Sequence, residues 1–269
     1  MMNSHVIAAH NIDAGYSNKN ILSGISVEIP KNKISVILGA NGCGKSTLLK
    51  TFARLITPKT GQIILDGKDI SLIPSKQIAK TLGMLPQSPV IPEGIRVIDL
   101  VSRGRFPYRK FLQSMNKDDY DAIEKAMQIM KITELADCVV DELSGGQRQR
   151  VWIALALAQQ TDILFLDEPT TFLDIAYQVD ILDMLTELNE QYNTTIVMVL
   201  HDINLSARYA NNLIAMKNGR IIAEGTPQEI VTPKLISDIY GLNCEVIKDP
   251  VSKAPMIIPK GRYHSSEMV

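Results

Sequence analysis

Gly39, Gly44, Lys45 and Ser46 fall at the spacing G-x-x-x-x-G-K-[ST] within "ILGANGCGKSTLLKTF". An apolar run precedes them and helical periodicity follows. Glycines allow a tight turn that aims successive backbone N–H groups of Gly39, Ala40, Asn41, Gly42, Cys43, Gly44, Lys45, Ser46 and Thr47 inward. The next helix presents its positive end, so a multiply charged phosphate replaces water there. Lys45 adds a mobile charge for the β- and γ-phosphates, and the Ser46 hydroxyl can ligate Mg²⁺. The plain alternative, a glycine turn that happens to carry a lysine, does not account for a strand and a helix on its two sides. The stretch reads as a P-loop that holds a nucleotide such as ATP. Cys43 lies inside it beside Lys45 and a helix N-terminus, a setting that lowers a thiol pKa. That makes it an expected alkylation target protected by Mg-ATP, or else a small residue that fills space.

A second magnesium-binding group, after Ser46, is supplied by "DILFLDEP", where an apolar strand ends in Asp167 and Glu168 and Pro169 stops it. Asp167 can enter the Mg²⁺ shell while Glu168 polarises the attacking water. An isolated Asp-Glu pair would be a solvated turn; beside a P-loop it has a task. The third feature is "LSGGQRQRVWIALALAQQ". Ser144 can cap a strongly patterned helix, and with Gly145, Gly146 and Gln147 it forms another ready-made anion site. A helix cap alone would explain any single S-G-G. Two anion sites with one P-loop would not then be explained.

These residues need elements to hold them. Short β-branched runs at 33–38, 62–67, 81–86, 162–167, 194–200, 212–217 and 220–225 alternate with helix-length segments, which argues for an α/β fold with a largely parallel sheet. Several strands are apolar at every position, as strands covered on both faces must be. Helices are expected after Gly44, over 117–131, 146–160 and 175–192, and around 203–210. Residues 88–160 carry helical patterns and hardly any strand pattern, so a helical subdomain belongs there.

The chain's bulk fits this reading. Its 269 residues are 45% hydrophobic and 21% charged, enough for a sizeable core. The formal net charge of −1 gives no global basic field for nucleic acid. Three cysteines, Cys43, Cys138 and Cys244, lie too far apart for a disulfide framework or a zinc site, which fits a reducing cytoplasm. No apolar run approaches the length of a membrane span, and the N-terminus lacks a signal-peptide pattern.

With "LSGGQ" added to the P-loop and "LFLDEP", the sequence resembles the ATP-binding subunits of ABC transporters over nearly its whole length. The resemblance implies a P-loop NTPase (RecA-like) core with a mostly parallel sheet, an N-terminal antiparallel β portion and an inserted helical subdomain. It implies one ABC ATP-binding domain over 1–269, with a nucleotide-binding core at 1–87 and 161–250. The helical signature subdomain would span 88–160 and a tail 251–269. It further implies a head-to-tail homodimer in which Ser144, Gly145, Gly146 and Gln147 of one copy close on the ATP held by the P-loop of the other. Tyr16 would stack on adenine. Gln87, in "LPQ", would sense Mg²⁺ and the membrane partner, Asp174, in "FLD", would belong to the nucleotide-binding set, and His201, in "VLHD", would hold the γ-phosphate beside catalytic Glu168 and Lys45. Taken singly, a Tyr, Gln or His at such places is more often packing or surface. Asn32 stands where the family often has glycine and is the substitute that best tolerates a left-handed turn. Thr171 and Phe172 replace the small or polar residues commoner in the family.

Finer resemblance lies in "VIDLVSRGRFPY", "HDINLSARYANNLIAMKNGRIIAEGTPQEIVTPKLISDIYG" and "CEVIKDPVSKAPMIIP". These resemble the ATPases of ferric-siderophore, haem and cobalamin importers, closest to the siderophore branch. The implied partners are two transmembrane permease subunits at the cytoplasmic face of the membrane and, indirectly, a substrate-binding protein; nucleic acid is not among them. Residues 88–112 are the expected dock for the permease, with Arg103, Arg105, Phe106 and Tyr108 as anchors, against the plain alternative of a solvated helix end. Absence of the long coiled coil of chromosome-maintenance relatives and of a regulatory domain after Gly225 points to a minimal importer ATPase. A haem or cobalamin importer subunit, a soluble ABC ATPase and a P-loop kinase are the alternatives, and the last would have no use for "LSGGQ" or His201.

Overall fold

A computed structural model describes residues 5–17, 19–89, 92–109 and 114–261. In chain order its elements are β1 (Ile7–Tyr16), β2 (Lys19–Ile29), β3 (Ile34–Gly39), α1 (Lys45–Phe52), β4 (Thr60–Leu65), β5 (Lys68–Asp69), α2 (Ser75–Thr81) and β6 (Leu82–Leu85). There follow α3 (Val97–Ser102), α4 (Lys117–Ile129), α5 (Gly145–Ala158), β7 (Ile163–Asp167), α6 (Ile175–Tyr192), β8 (Thr195–Val199) and α7 (Ile203–Tyr209). The chain closes with β9 (Asn212–Lys217), β10 (Arg220–Gly225), α8 (Pro227–Ile230), α9 (Pro233–Tyr240), β11 (Cys244–Lys248) and β12 (Pro255–Pro259).

Six strands form the central sheet in the order β10-β9-β3-β8-β7-β6. All neighbours in it are parallel except the edge pair β9–β10, which a two-residue turn joins. Successive strand residues point to opposite faces, and the packing follows that alternation. On β3, Val36 and Leu38 join one apolar cluster and Ile37 the other; on β7, Leu164 and Leu166 face the helices while Ile163 and Phe165 face the second cluster. Both faces are covered, which is why these strands are buried along their length and apolar apart from Ser35 of β3 and Asp167 at the end of β7.

The first face packs on α3–α6 through Val97, Leu100, Met127, Trp152 and Leu185. The described residues of 88–160 hold helices and 3₁₀ turns with no named strand, and they share this continuous core with the sheet. On the second face lie α1 and a four-stranded antiparallel sheet, order β2-β1-β4-β5. The expected strand at 62–67 thus belongs to this antiparallel layer, with Ile63 opposite Ala9 of β1. Phe52 of α1 meets Phe165 of β7 edge to face, ring centroids 6.0 Å apart, sealing the core under the phosphate loop.

Local signals set the ends of the elements. Asn32 is left-handed, φ 55, in the turn before β3, as its side chain tolerates. Ser144 and Gln147 close a reciprocal capping box on α5, and Asn116 and Asp119 do the same on α4. The β11–β12 hairpin, not expected from the sequence, is pinned to α7. Asn204 donates to the Ile257 carbonyl at 3.2 Å and accepts its N–H at 2.7 Å, and Arg208 pairs with Asp249 at 2.6 Å. Among the described residues no helix is long and apolar enough to cross a membrane.

Candidate functional site

The site forms where three strands of the central sheet end together. Gly39 closes β3 at φ 156, and a side-chain carbon there would lie 2.5 Å from Cys43 Sγ and 2.6 Å from the Met216 carbonyl oxygen, so only glycine fits. Gly44, φ 109, then turns the chain into α1, where a side chain would meet Leu22. Between these glycines the loop curls back under Lys45. The Lys45 ammonium donates to the carbonyls of Gly39 at 2.8 Å and Ala40 at 3.2 Å. Ser46 and Thr47 follow at the helix start, and the Ser46 hydroxyl donates to Asp167 Oδ1 at 2.7 Å.

Asp167 ends β7 and is 1% exposed. Its second oxygen, Oδ2, is buried with no hydrogen-bond partner, and burial pushes the carboxyl above its ordinary range, against the pull of Ser46 and Lys50. An orphaned, desolvated carboxylate oxygen beside a serine hydroxyl suits a hard divalent cation of the Mg²⁺ type, which takes few protein ligands and completes its shell with water and phosphate oxygen.

Glu168 comes next, in the left-handed region at φ 58, a position a non-glycine residue holds only under constraint. That backbone turn aims its carboxylate into the cleft. Oε2 accepts from Gln87 Nε2 at 2.6 Å and from the Thr171 hydroxyl at 3.0 Å, and His201 Nε2 lies 2.8 Å from Oε1. Gln87 arrives on the segment after β6 and His201 just past β8, so three separate strand ends converge on one carboxylate.

A single cleft is lined by Asn41, Gly42, Gly44, Lys45, Ser46, Thr47, Gln87, Glu168 and His201, together with Ile21, Thr171 and Phe172. Asp167 lies directly beneath through its bond to Ser46. Gly39, Ala40 and Cys43 form the loop's buttress and do not line the opening. Tyr16, 51% exposed at the end of β1, is outside that lining, where Ile21 of β2 supplies the apolar wall. Ser144, Gly145, Gly146 and Gln147 also stand apart from the cleft, at the start of α5. There Gly146 packs so closely on Tyr177 that a side-chain carbon would come within 2.8 Å of the ring. Asp174 is exposed before α6 and caps nothing with its side chain.

One open alternative is narrowed and one expectation is corrected. Cys43 is buried, and desolvation raises its thiol pKa against the lowering effect of Lys45, so burial outweighs the charge and helix end that predicted a reactive thiolate. Arg105 is no surface anchor. It is 3% exposed, donates from Nε to Asp119 at 2.9 Å and from Nη1 to the Ala158 carbonyl at 2.8 Å and Gln160 at 3.0 Å, and stacks 3.9 Å from the Tyr108 ring centre. Of that stretch, Arg103 is exposed and Phe106 is 78% exposed. Residues 90, 91 and 110–112 of the expected dock, and 262–269 of the expected tail, lie outside the described residues.

Thr171 and Tyr240 were missed as site residues. Thr171 sits three positions after Glu168, a spacing that a turn closes. The Tyr240 hydroxyl accepts the Gly39 N–H at 3.1 Å, and nothing in the sequence ties together residues 201 positions apart.

Comparison with known proteins places this geometry. The family model described as ABC transporter matches residues 22–171. The chain is 48% identical over 256 residues to the ferric enterobactin transport ATP-binding protein of Escherichia coli, covering 95% of this chain and 94% of that protein. It is 42% identical over 257 residues to the iron(3+)-hydroxamate import ATP-binding protein of Bacillus subtilis, covering 96% and 95%. Among solved structures, the dimer of a bacterial ABC transporter cassette superposes with a TM-score of 0.72 at 27% identity, covering 82% of this chain and 98% of that one.

Proposed function

The chain belongs to the ABC transporter family, and from that premise we propose that it is the ATP-hydrolysing subunit of an importer of a ferric siderophore, acting at the cytoplasmic face of the membrane. The observation that carries the chemistry is the convergence of Lys45, Ser46, Gln87, Glu168 and His201 on one cleft above a buried, half-satisfied Asp167. The cargo rests on the relatives, whose names carry iron(III) chelates.

The phosphate loop binds the triphosphate through its backbone amides, and Lys45 turns its ammonium from the Gly39 and Ala40 carbonyls toward the β- and γ-phosphates. Ser46 and Asp167 would hold Mg²⁺, with Gln87 at its edge; bound there, the ion neutralises charge on the phosphate oxygens. Glu168 is the general base. Gln87, Thr171 and His201 all contact its carboxylate and hold it in place. Arrival of the γ-phosphate gives His201 and Gln87 new partners and frees Glu168 to take a proton from water.

Ser144 to Gln147 do not line the chain's own cleft, which supports a second copy, turned head to tail, supplying them across the nucleotide. Tyr16 meets the adenine and Asp174 the partner copy in that closed pair. Closure pushes on two permease subunits, which receive the chelate from a substrate-binding protein; hydrolysis reopens the pair.

The experiment is uptake of a radioiron-loaded siderophore by cells lacking the protein, complemented with wild type or Lys45→Ala. Uptake should fail in the deletion and with Lys45→Ala while surface binding of the chelate is unchanged. Normal iron uptake with loss of haem or cobalamin uptake would transfer the cargo and leave the ATPase chemistry in place.

A further inference from the structure

The helix α9 is a short, firmly bounded element. Thr232 accepts the Leu235 N–H at 3.1 Å, Pro233 opens the first turn with its preset φ, and Gly241 ends the helix in the left-handed region, φ 65. Ile236 and Ile239, three apart and so on one face, are buried, and the helix packs on β9 and β11. The rotation of α9 is therefore fixed, and its last residue, Tyr240, is carried to the end of β3.

There the Tyr240 hydroxyl accepts the Gly39 N–H at 3.1 Å. Pairing of β3 with β8 stops at Ile37 while its register with β9 runs out to Gly39, and the Gly39 N–H takes its acceptor from a side chain. The loop is tied down at two further points. The Gly219 N–H donates to the Cys43 carbonyl at 2.9 Å, and Lys45 holds the Gly39 carbonyl at 2.8 Å. Gly39 is thus gripped at its N–H by α9 and at its carbonyl by Lys45. Burial pushes the Tyr240 hydroxyl up to about 12, which keeps it a neutral phenol at working pH, so the contact does not titrate.

We infer that Tyr240 is a positioning residue of the nucleotide site, its hydroxyl fixing the first peptide of the phosphate loop so that the loop amides and Lys45 meet the phosphates already in place. The inference rests on the reading of that loop as the ATP site. A loop held before the ligand arrives lowers the cost of binding, and it is held equally in the ground and transition states, so its loss raises KM and leaves kcat alone.

The test is Tyr240→Phe in the full-length chain, which keeps the ring and its packing and removes only the acceptor. Binding of trinitrophenyl-ATP with Mg²⁺, steady-state ATPase and thermal unfolding are measured beside wild type. A lost neutral hydrogen bond should raise the nucleotide Kd and the ATP KM about 3- to 10-fold, with kcat within about 2-fold and Tm lowered by no more than about 3 °C. An unchanged KM overturns the inference whatever kcat and Tm do. A higher KM accompanied by a clear fall in Tm also overturns it, because the hydroxyl would then serve the fold at large. If wild type itself neither binds nor hydrolyses ATP, the proposed function fails instead, and the two failures are told apart by the wild-type measurement alone.

Discussion

Replacing Arg105 by leucine tests whether the segment after α3 is held by a buried ion pair or offers that charge to a partner. Arg105 and Asp119 have side chains 4% and 5% exposed, their closest atoms 2.9 Å apart. The guanidinium also satisfies the Ala158 carbonyl at the end of α5, so one side chain joins α3's extension, α4 and α5. Leucine would leave a buried carboxylate and a buried carbonyl without their donor, and breaking such a pair by removing one partner costs about 3–5 kcal/mol. With an unfolding entropy of roughly 2.1 cal/mol/K per residue, a chain this long should lose about 5–9 °C in Tm. Thermal unfolding of the purified chain followed by circular dichroism reads this directly. The loss should depend on pH. Burial alone would raise the Asp119 carboxyl, but the Asn116 amide and Arg105 hold it below its ordinary range. Its contribution is therefore present above the unfolded value of about 3.9 and disappears as pH falls through the lower folded value. The gap between wild type and Arg105→Leu should be steady near neutrality and close in acid. An unchanged Tm together with lost permease-coupled transport would refute the buried-pair account and return Arg105 to the surface role that its sequence context suggested.

Glu168→Gln should still bind ATP and lose roughly 10²- to 10⁴-fold in turnover, since it removes the general base; normal turnover would take Glu168 out of the mechanism. The trapped variant should elute as a nucleotide-bound dimer by size exclusion. Mixing Lys45→Ala with Ser144→Arg subunits should restore part of the ATPase activity, because their heterodimer keeps one intact composite site; no recovery at any ratio counts against sharing of Ser144 between copies. Iodoacetamide should label half-buried Cys138 before buried Cys43 in the native chain, with activity retained. Rapid labelling of Cys43 that Mg-ATP prevents would contradict the raised thiol pKa.

What the sequence determined by itself is what neighbouring residues decide. The apolar runs at 36–38 and 163–166 read as strands covered on both faces, and glycines at 39 and 44 followed by Lys45 and Ser46 specify the turn into α1 by steric need alone. Asn32 marks a left-handed turn, and Ser144 with Gln147 three positions on marks a helix start, for equally local reasons. The hairpin β11–β12 and helix α9 carried weaker signals because they are short and held mainly by contacts with each other, with α7 and with β9. Tertiary structure alone decided the environments. The same Lys45 and helix end that would activate Cys43 in water are outweighed once Leu22, Phe52 and Met216 join it in a closed apolar cluster. Arg105 reads as a surface charge until α4 brings Asp119 to it. The Tyr240 hydroxyl meets Gly39 because α9 is folded against β9, which pairs with β3 out to Met216 and Gly39. Burial and long-range hydrogen bonds depend on residues far apart in the chain, and only the packed sheet, which brings strand ends from across the sequence to one edge, sets the distances on which the chemistry depends.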